Sequence, residues 1–295
     1  PWQLRQHADL WADILTYLSL VGVVSVFTGS IIGFIRLRVN HRYRGNAVTP
    51  YKGFNKWHHL LGLGSLLFVS TFMFSGLMSM LPWGIFDNET DVGEQIVRYN
   101  GGELSELDKF PALTTIANTD AVKEVEWQLT GGTPTLLLSR SATDKQVVVA
   151  DGIADDATLR ALIRAAVPAL QPSATLLASK MISSYDNYYY SHHNRYRPLP
   201  ALQVEFDDAE SSWYHIDLNT GTVIQRMTHT DRVARWLYNG MHSLDFTLLF
   251  QHRPIWDATI ILLCLFGFCF ALTSVVIGWR RLVYRTKHPH VRVNS

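Results

Sequence analysis

The chain combines long apolar segments with a central stretch in which polar and apolar positions alternate. Three runs of 22 residues without a charged side chain cover residues 14–35, 60–81 and 258–279. About 20 residues at 1.5 Å rise per residue cross the roughly 30 Å apolar core of a bilayer. Buried helices of a large soluble core are the alternative, but three runs of spanning length favour a transmembrane helix bundle. We predict spans within residues 1–35, 58–84 and 255–281.

The segment 85–230 has the pattern of a folded domain, which makes the whole chain an α+β membrane protein. Two similar units, at about 96–150 and 156–227, each predict a helix followed by a small antiparallel sheet. The first unit comprises a weak helix near 108–118 and strands at 122–130, 135–139 and 145–150. The second comprises a helix at 156–169, extended chain at 174–190, a strand at 201–206 and a hairpin at 213–226. This shape names no chemistry by itself.

Charge indicates the orientation in the bilayer. Residues 36–59 hold six Lys and Arg and no acid, and residues 280–295 hold five and no acid. Residues 83–257 hold 23 Asp and Glu against 14 Lys and Arg. Because short basic loops stay in the cytoplasm, we expect the loop 36–57 and the tail 282–295 inside, and the domain 85–230 outside. The segment 231–254 is expected at the outer membrane interface.

Three spans place the two termini on opposite sides of the membrane, with Pro1 outside. The chain begins with Pro rather than Met, and no signal-peptide pattern precedes the first apolar run. We therefore expect the native protein to have an earlier, outward-crossing helix, which would make four spans.

Several function classes are excluded by what the sequence lacks. The two cysteines, Cys264 and Cys269, both lie in the third apolar run, so a four-cysteine iron–sulfur cluster is ruled out. No P-loop, GxGxxG or Ser-His-Asp order can be defended. The inner loops are too short for a nucleotide- or flavin-binding domain, and no nucleic-acid partner is predicted. Electrons from the inner side would need a separate protein or a membrane quinol as donor.

Histidines are concentrated where spans begin and end. Five of the twelve lie at these positions: His7, His58, His59, His242 and His252. Imidazole is a common axial ligand of haem iron, and polar rings at membrane depth usually have a partner or a function. Hydrogen bonds to headgroups are the alternative for any single histidine. Inner and outer histidines together favour two stacked haems that form an electron path. Glycines in all three spans would let helices or a macrocycle approach closely.

A second candidate surface is aromatic and basic. Its members lie in one short segment of the domain: Tyr188, Tyr190, His192, His193 and Arg195. It is a candidate substrate face for an aromatic, anionic or metal-bearing ligand. The alternatives are a Tyr-rich strand at the membrane interface and a zinc site at His192 and His193, for which adjacent histidines are a weak signal.

The chain resembles the PepSY-associated transmembrane family, and within it the iron-uptake branch of siderophore reductases. The matching membrane segments are 56–84, which opens KWHHLLGLG, then RWLYNGMHSLDF at 235–246, RPIWD at 253–257 and GWRRL at 278–282. In the domain, PLPALQVEF at 198–206 and WYHIDLNTGTVI at 213–224 are similar to the family's PepSY module.

This resemblance implies a bacterial inner-membrane protein with b-type haems, two of them in our interpretation. It would reduce ferric iron held by a siderophore in the periplasm. His58, with His59 as its alternate, and His242 are then the axial-ligand candidates. His7 is the expected partner of His242, and the partner of His58 is expected on the preceding helix. The candidates for contact with the haem propionates are Arg235, Trp236 and Arg253.

Two other functions stay open at this point. A non-enzymatic membrane sensor or anchor would bind a periplasmic ligand through the domain, and its interfacial histidines would be structural. A haem cytochrome could instead serve another periplasmic acceptor. The siderophore, the electron donor and the oligomeric state are not specified by the sequence.

Overall fold

The computed structural model of the protein describes residues 5–80, 82–84, 92–104, 111, 121–191 and 195–287. The chain divides into two compact units. The helical unit comprises residues 1–86 and 234–295, and the sheet unit comprises residues 87–233. The mixed α+β character predicted from the sequence is confirmed. The predicted helix near 108–118 lies almost wholly outside the described residues.

The described α-helices follow the apolar periodicity, with several short ones between the long segments. In chain order they are α1 Ala8–Arg36, α2 Gly53–Gly64, α3 Leu66–Met78, α4 Gly93–Asn100, α5 Asp156–Ala166, α6 His229–Arg235, α7 Met241–Ser243, α8 Thr247–Phe250 and α9 Arg253–Lys287. The strands are β1 Glu124–Thr130, β2 Thr133–Ser139, β3 Lys145–Val149, β4 Gly152–Ile153, β5 Leu176–Ile182, β6 Ala201–Phe206, β7 Trp213–Asp217 and β8 Val223–Met227.

Two described helices, α1 and α9, are long and apolar enough to cross a membrane. Their most apolar windows have mean hydropathies of 2.2 and 2.8 and are almost entirely unburied by protein. Exposed side chains such as Leu18, Phe27 and Ile261 give these helices an apolar outer surface of the kind that lipid covers. The prediction of helices long and apolar enough to span a membrane is confirmed for these two.

The second apolar run differs from the single straight span that we predicted. It forms α2 and α3, which meet at Ser65 with a bend of 72°. Ser65 follows Gly64, and its hydroxyl donates to the Leu61 carbonyl at 2.7 Å. Sharp kinks commonly occur at Gly/Ser pairs, and such back-bonding hydroxyls bend helices. The pair is therefore either one broken span or a re-entrant segment, and the count of three spans stays a prediction.

Close packing in the helical unit depends on small residues. A Cβ on Gly33 would lie 2.9 Å from the Leu63 side chain, and one on Gly62 would lie 2.9 Å from the Phe270 ring. A Cβ on Gly22 would overlap the Met73 side chain. Glycine at these positions lets α1 pack on α2 and α3, and lets α2 pack on α9, as the small-residue pattern predicted.

The sheet unit contains two four-stranded antiparallel sheets, with strand orders β1-β2-β3-β4 and β5-β6-β7-β8. The turn between β1 and β2 uses Gly131 and Gly132, both at positive φ. Asp155 caps α5 by accepting from the Thr158 amide at 2.8 Å. One core joins both sheets and α5, so the two predicted units fold around shared apolar residues: Leu137, Val147, Leu159, Ile163, Val204, Phe206 and Tyr214.

Two local predictions in the sheet unit were inexact. The predicted extended segment 174–190 contains β5, which ends at Ile182. The Asp186 carboxylate then accepts from the amides of Tyr188 and Tyr189 at 2.7 and 2.8 Å, and this Asx turn ends the extended chain. The short strand β4 was not predicted, because two residues carry no measurable alternation.

Candidate functional site

His58 lies on α2 and faces α9. Its Nδ1 is 3.1 Å from Thr273 Oγ1 and 3.3 Å from Ser274 Oγ. The ring stacks on Phe270, with centroids 4.7 Å apart and planes inclined by 13°. The imidazole is therefore fixed on one face by an aromatic ring and on one edge by two hydroxyls.

The bonds of these two hydroxyls allow the protonated ring nitrogen to be assigned. Thr273 Oγ1 donates to the Phe270 carbonyl at 2.6 Å, and Ser274 Oγ donates to the same carbonyl at 3.1 Å. Each hydroxyl has one proton, so towards His58 both act as acceptors. The tautomer assigned from this network has the proton on Nδ1 and a lone pair on Nε2. A neutral imidazole with this arrangement is ready to bind a metal ion through Nε2.

His242 repeats the arrangement on the other side of the bend. It belongs to α7, and its Nδ1 is 3.1 Å from Ser75 Oγ on α3. Ser75 is fully buried, and its hydroxyl donates to the Phe72 carbonyl at 3.2 Å. The ring stacks on Phe72 and on Tyr238, with centroid distances of 4.5 and 5.2 Å. The same assignment leaves a lone pair on Nε2 of His242.

A π-helical turn, Trp236–Gly240, leads into α7. Such wide turns are rare and occur often at functional sites. This turn places Tyr238 against the His242 ring. In the RWLYNGMHSLDF segment, His242 therefore lies on a short helix that directly follows a π-helical turn.

His59 has a different role from its neighbour. Its Nε2 donates to the Gly33 carbonyl at 2.9 Å, and the side chain is buried. The ring meets Tyr51 edge-on at 5.3 Å. Nδ1 has no hydrogen-bond partner among the described residues. His59 thus ties α2 to α1 in this structure, which favours His58 over His59 as the ligand from this pair.

A cavity of about 660 Å³ lies between α1, the bent pair and α9. It is lined by both adjacent histidines and is polar at the end where Tyr51, Asn55 and Arg281 lie, near the start of α2 and the end of α9. The opposite end is largely apolar, with Val26, Leu66 and Val69 among its lining residues. Its size lies within the range of about 300–1,000 Å³ typical of ligand sites.

Two glycines widen this cavity. A Cβ on Gly29 or on Gly278 would have no atom within 4 Å, and both residues line the wall. These positions therefore leave open space that other residues would fill. A ligand that suits the whole cavity has an apolar body, an acceptor for an imidazole lone pair and an anionic end. His58, the apolar lining and Arg281 are the residues that would meet these three parts of a haem.

The structure does not bring His7 and His242 together. His7 is exposed at the start of α1. His242 contacts α3 at Ser75, close to Met73, against which Gly22 packs. Gly22 follows His7 by 15 residues, or about 22 Å of helix. The predicted pairing of these two histidines therefore lacks geometric support in the described residues. His252 is also exposed, and its Nδ1 is 3.0 Å from the Leu248 carbonyl.

The arginines predicted to meet propionates have other contacts here. Arg235 is buried, its guanidinium lies over the Trp236 ring at 4.3 Å, and it donates to the Asp245 carbonyl. Arg253 lies over Trp256 at 5.5 Å. Arg235 and Trp236 thus brace the segment that carries His242, and their role towards a propionate stays a prediction.

The aromatic surface of the sheet unit is only partly described. Tyr188 meets Trp213 edge-on at 5.4 Å, and Tyr190 is half-buried. Arg195 is exposed, whereas His192 and His193 lie outside the described residues. Among the described residues, no cluster of three His, Cys, Asp or Glu side chains could hold a metal ion.

Sequence reasoning missed the hydroxyls at both histidines and Arg281 at the polar end of the cavity. In the sequence these residues differ from their neighbours only as a hydroxyl or a charge within or beside an apolar run. Such positions are common in this chain, so they do not identify a site. No family model, curated protein or solved structure matches this chain.

Proposed function

We propose that the protein is a membrane haem reductase that moves electrons across the bilayer and reduces ferric iron held by a siderophore. The observation that carries this proposal is the repeated histidine arrangement. His58 and His242 each place Nδ1 against a hydroxyl on an apolar helix. With Nδ1 protonated, each would offer an Nε2 lone pair to haem iron.

The positions of the two histidines support an electron path with two haem sites. Ser75, which contacts His242, follows His58 by 17 residues along the bent pair. That separation is at most about 25 Å of helix, and the bend shortens it. Two b-type haems at these positions would lie at different depths in the membrane, so one could receive an electron near one face and the other release it near the opposite face.

Each part of the cavity has a defined task in this proposal. His58 would hold the iron, and Arg281 with Tyr51 and Asn55 would receive the propionates at the polar end. The apolar lining excludes water from the ring. Haem b, when bound, supplies a carrier that accepts and releases one electron at a time. A second ligand for each haem is expected from outside these contacts.

The substrate follows from the resemblance and from coordination chemistry. Hard oxygen donors bind Fe(III) tightly and Fe(II) more weakly. One electron per ferric ion therefore releases the iron without cleavage of the siderophore. A membrane quinol that loses two electrons and two protons would serve two ferric ions, and a cytoplasmic reductant is the alternative donor. The candidate substrate face is the aromatic surface of the sheet unit around Tyr188, Tyr190 and Arg195.

The basic segments give the orientation. Residues 36–57 and 282–295 face the cytoplasm of a bacterial inner membrane in this proposal, because positive loops remain inside. The sheet unit, as a PepSY-like domain, then lies in the periplasm, where a siderophore can reach it.

An absorption spectrum of the purified protein tests the proposal directly. We expect a red protein with the spectrum of reduced b-type haem after dithionite, and about two haems per chain. The reduced protein should then be reoxidised by ferric siderophores faster than by small artificial acceptors of similar potential. A protein that is purified without haem and binds none when haem is added would contradict the proposal and favour the sensor or anchor. Equal rates with all acceptors would favour a general cytochrome.

A further inference from the structure

Hydroxyl groups are frequent in the helices of the helical unit, and most of them serve only their own helix. Ser25 donates to the Val21 carbonyl at 2.7 Å, and Thr259 donates to the Ile255 carbonyl at 2.8 Å. Such bonds satisfy a hydroxyl in an apolar environment without any further partner. Thr273, Ser274 and Ser75 make the same kind of bond but each also meets a histidine nitrogen. The bond to the carbonyl already satisfies each hydroxyl, so the contact with the histidine is not needed for that purpose.

That second contact has a direction. The hydroxyls of Thr273 and Ser75 donate to the carbonyls of Phe270 and Phe72 at 2.6 and 3.2 Å. A hydroxyl that keeps this bond offers only its lone pairs to an imidazole, so Nδ1 is then the donor. A hydroxyl replaced by a methyl group would remove this acceptor and leave the ring free to exchange its proton between the two nitrogens.

We propose that Thr273, with Ser274, and Ser75 are positioning residues that hold His58 and His242 in the tautomer that binds haem iron through Nε2. This inference rests on the proposed function. The bond to Nδ1–H also makes the imidazole a stronger electron donor to iron, which favours the ferric state. The hydroxyls therefore influence both the affinity for haem and the reduction potential at each site.

The test uses the full chain in detergent, freed of haem and titrated with haem. In the Thr273→Val/Ser274→Ala variant we expect the affinity of the His58 site to fall by about 10- to 100-fold, the range typical for loss of such supporting contacts. The midpoint potential of that haem should rise. Ser75→Ala should have the same two effects on the His242 site. Thr273→Ser with Ser274 unchanged, and Ser75→Thr, both keep the hydroxyl. These variants should retain the haem affinity and the midpoint potential of the unaltered chain.

Matched controls are present in the same helices. Thr259→Val in α9 and Ser79→Ala at the C-terminal cap of α3 remove hydroxyls that bond to carbonyls of the same helix, at 2.8 and 2.7 Å. No histidine contact of either hydroxyl is found in the described chain. They should change neither affinity nor potential. The untouched haem site in each variant is an internal control for folding.

The outcomes separate this inference from the proposed function. If the unaltered chain binds no haem, or binds it equally well after His58→Ala and His242→Ala, the proposed function fails and this inference fails with it. If those histidine variants lose haem while the hydroxyl variants match the unaltered chain within about twofold, only the positioning role is wrong. Loss of haem from both sites on changing Thr273 alone would indicate a general packing effect and would also count against it.

Discussion

The histidines of the helical unit and the buried histidine of the sheet unit have similar surroundings but different bonding. His215 on β7 is fully buried and stacks on Tyr189 with centroids 4.7 Å apart, much as His58 stacks on Phe270. Neither nitrogen of His215, however, has a hydrogen-bond partner among the described residues. Aromatic stacking alone therefore does not distinguish a candidate ligand from a histidine of a core.

The electrostatic surroundings of His215 agree with a neutral core residue. Its pKa is lowered to about 4, mainly by burial; Asp186 opposes this shift, and the cationic side chains of Arg197 and Lys180 add to it. Its neighbours across the sheet are Gln203 and Gln225. Burial also raises the pKa of the stacked Tyr189 hydroxyl, which donates to the Pro198 carbonyl at 2.7 Å. The hydroxyl on Nδ1, rather than the aromatic stack, therefore distinguishes His58 and His242 from His215.

The largest expected effect comes from removal of the imidazoles themselves. His58→Ala together with His242→Ala should reduce bound haem to near zero, because both proposed iron ligands are lost. His215→Phe keeps an aromatic ring on Tyr189 and should leave the haem content unchanged. Haem per chain, measured as the pyridine haemochrome, checks this. Haem loss in the His215 variant would contradict the distinction between the two kinds of histidine, since the buried sheet histidine would then be part of the haem site.

The cavity offers the next largest effect. Gly29→Leu places a side chain in open space on the cavity wall, so haem at the His58 site should fall by at least about tenfold. Ile31→Phe enlarges an exposed side chain of the same helix that does not line the cavity, and it should have little effect. Haem titration of both variants checks the prediction. Equal affinities would mean that the ligand does not occupy this cavity.

The third effect concerns pH and the sheet unit. Because the folded pKa of His215 is about 4 and the unfolded value is about 6.5, the unfolded chain takes up the proton first. The contribution of neutral His215 is complete above pH 6.5 and is lost as pH falls towards 4, by about 3 kcal/mol. His215→Phe should reduce this acid sensitivity.

Amide hydrogen exchange of β6 and β7 in the full chain, at pH about 7 and about 4.5, measures this effect. His229→Phe is the control, since His229 is exposed at the start of α6. It should keep the acid sensitivity of the unaltered chain. If the His215 and His229 variants lose protection equally at the lower pH, the burial of a neutral imidazole is not the cause.

The smallest effect is expected at the polar end of the cavity. Arg281→Gln removes a charge that would pair with a propionate, but Arg281 is exposed. Exposed ion pairs contribute about 1 kcal/mol or less, so haem affinity should fall by less than about fivefold. The neighbouring Arg280, whose guanidinium lies over the Phe54 ring at 4.6 Å, provides the control Arg280→Gln. An equal loss in both variants would point to the general basic charge of this end.

Much of the fold could be predicted because it depends on local pattern. The strand predicted at 201–206 is β6 to the residue, and the hairpin predicted at 213–226 is β7 and β8 within one residue. Alternation along a strand and glycine at a tight turn are properties of neighbouring residues. The break at Ser65 was missed because a continuous apolar run does not show where a helix changes direction. Only the Gly64–Ser65 pair could have indicated the bend.

The candidate site was predictable only as a set of histidines. The sequence alone determined that apolar helices and two small sheets exist, since hydropathy and periodicity are read within a few turns or strands. Only the tertiary structure decided that His58 meets Thr273, 215 residues away, and that His242 meets Ser75, 167 residues away. It also assigned His59 to the Gly33 carbonyl. A tautomer depends on atoms within about 3 Å of a ring, and chain folding alone brings such distant residues that close.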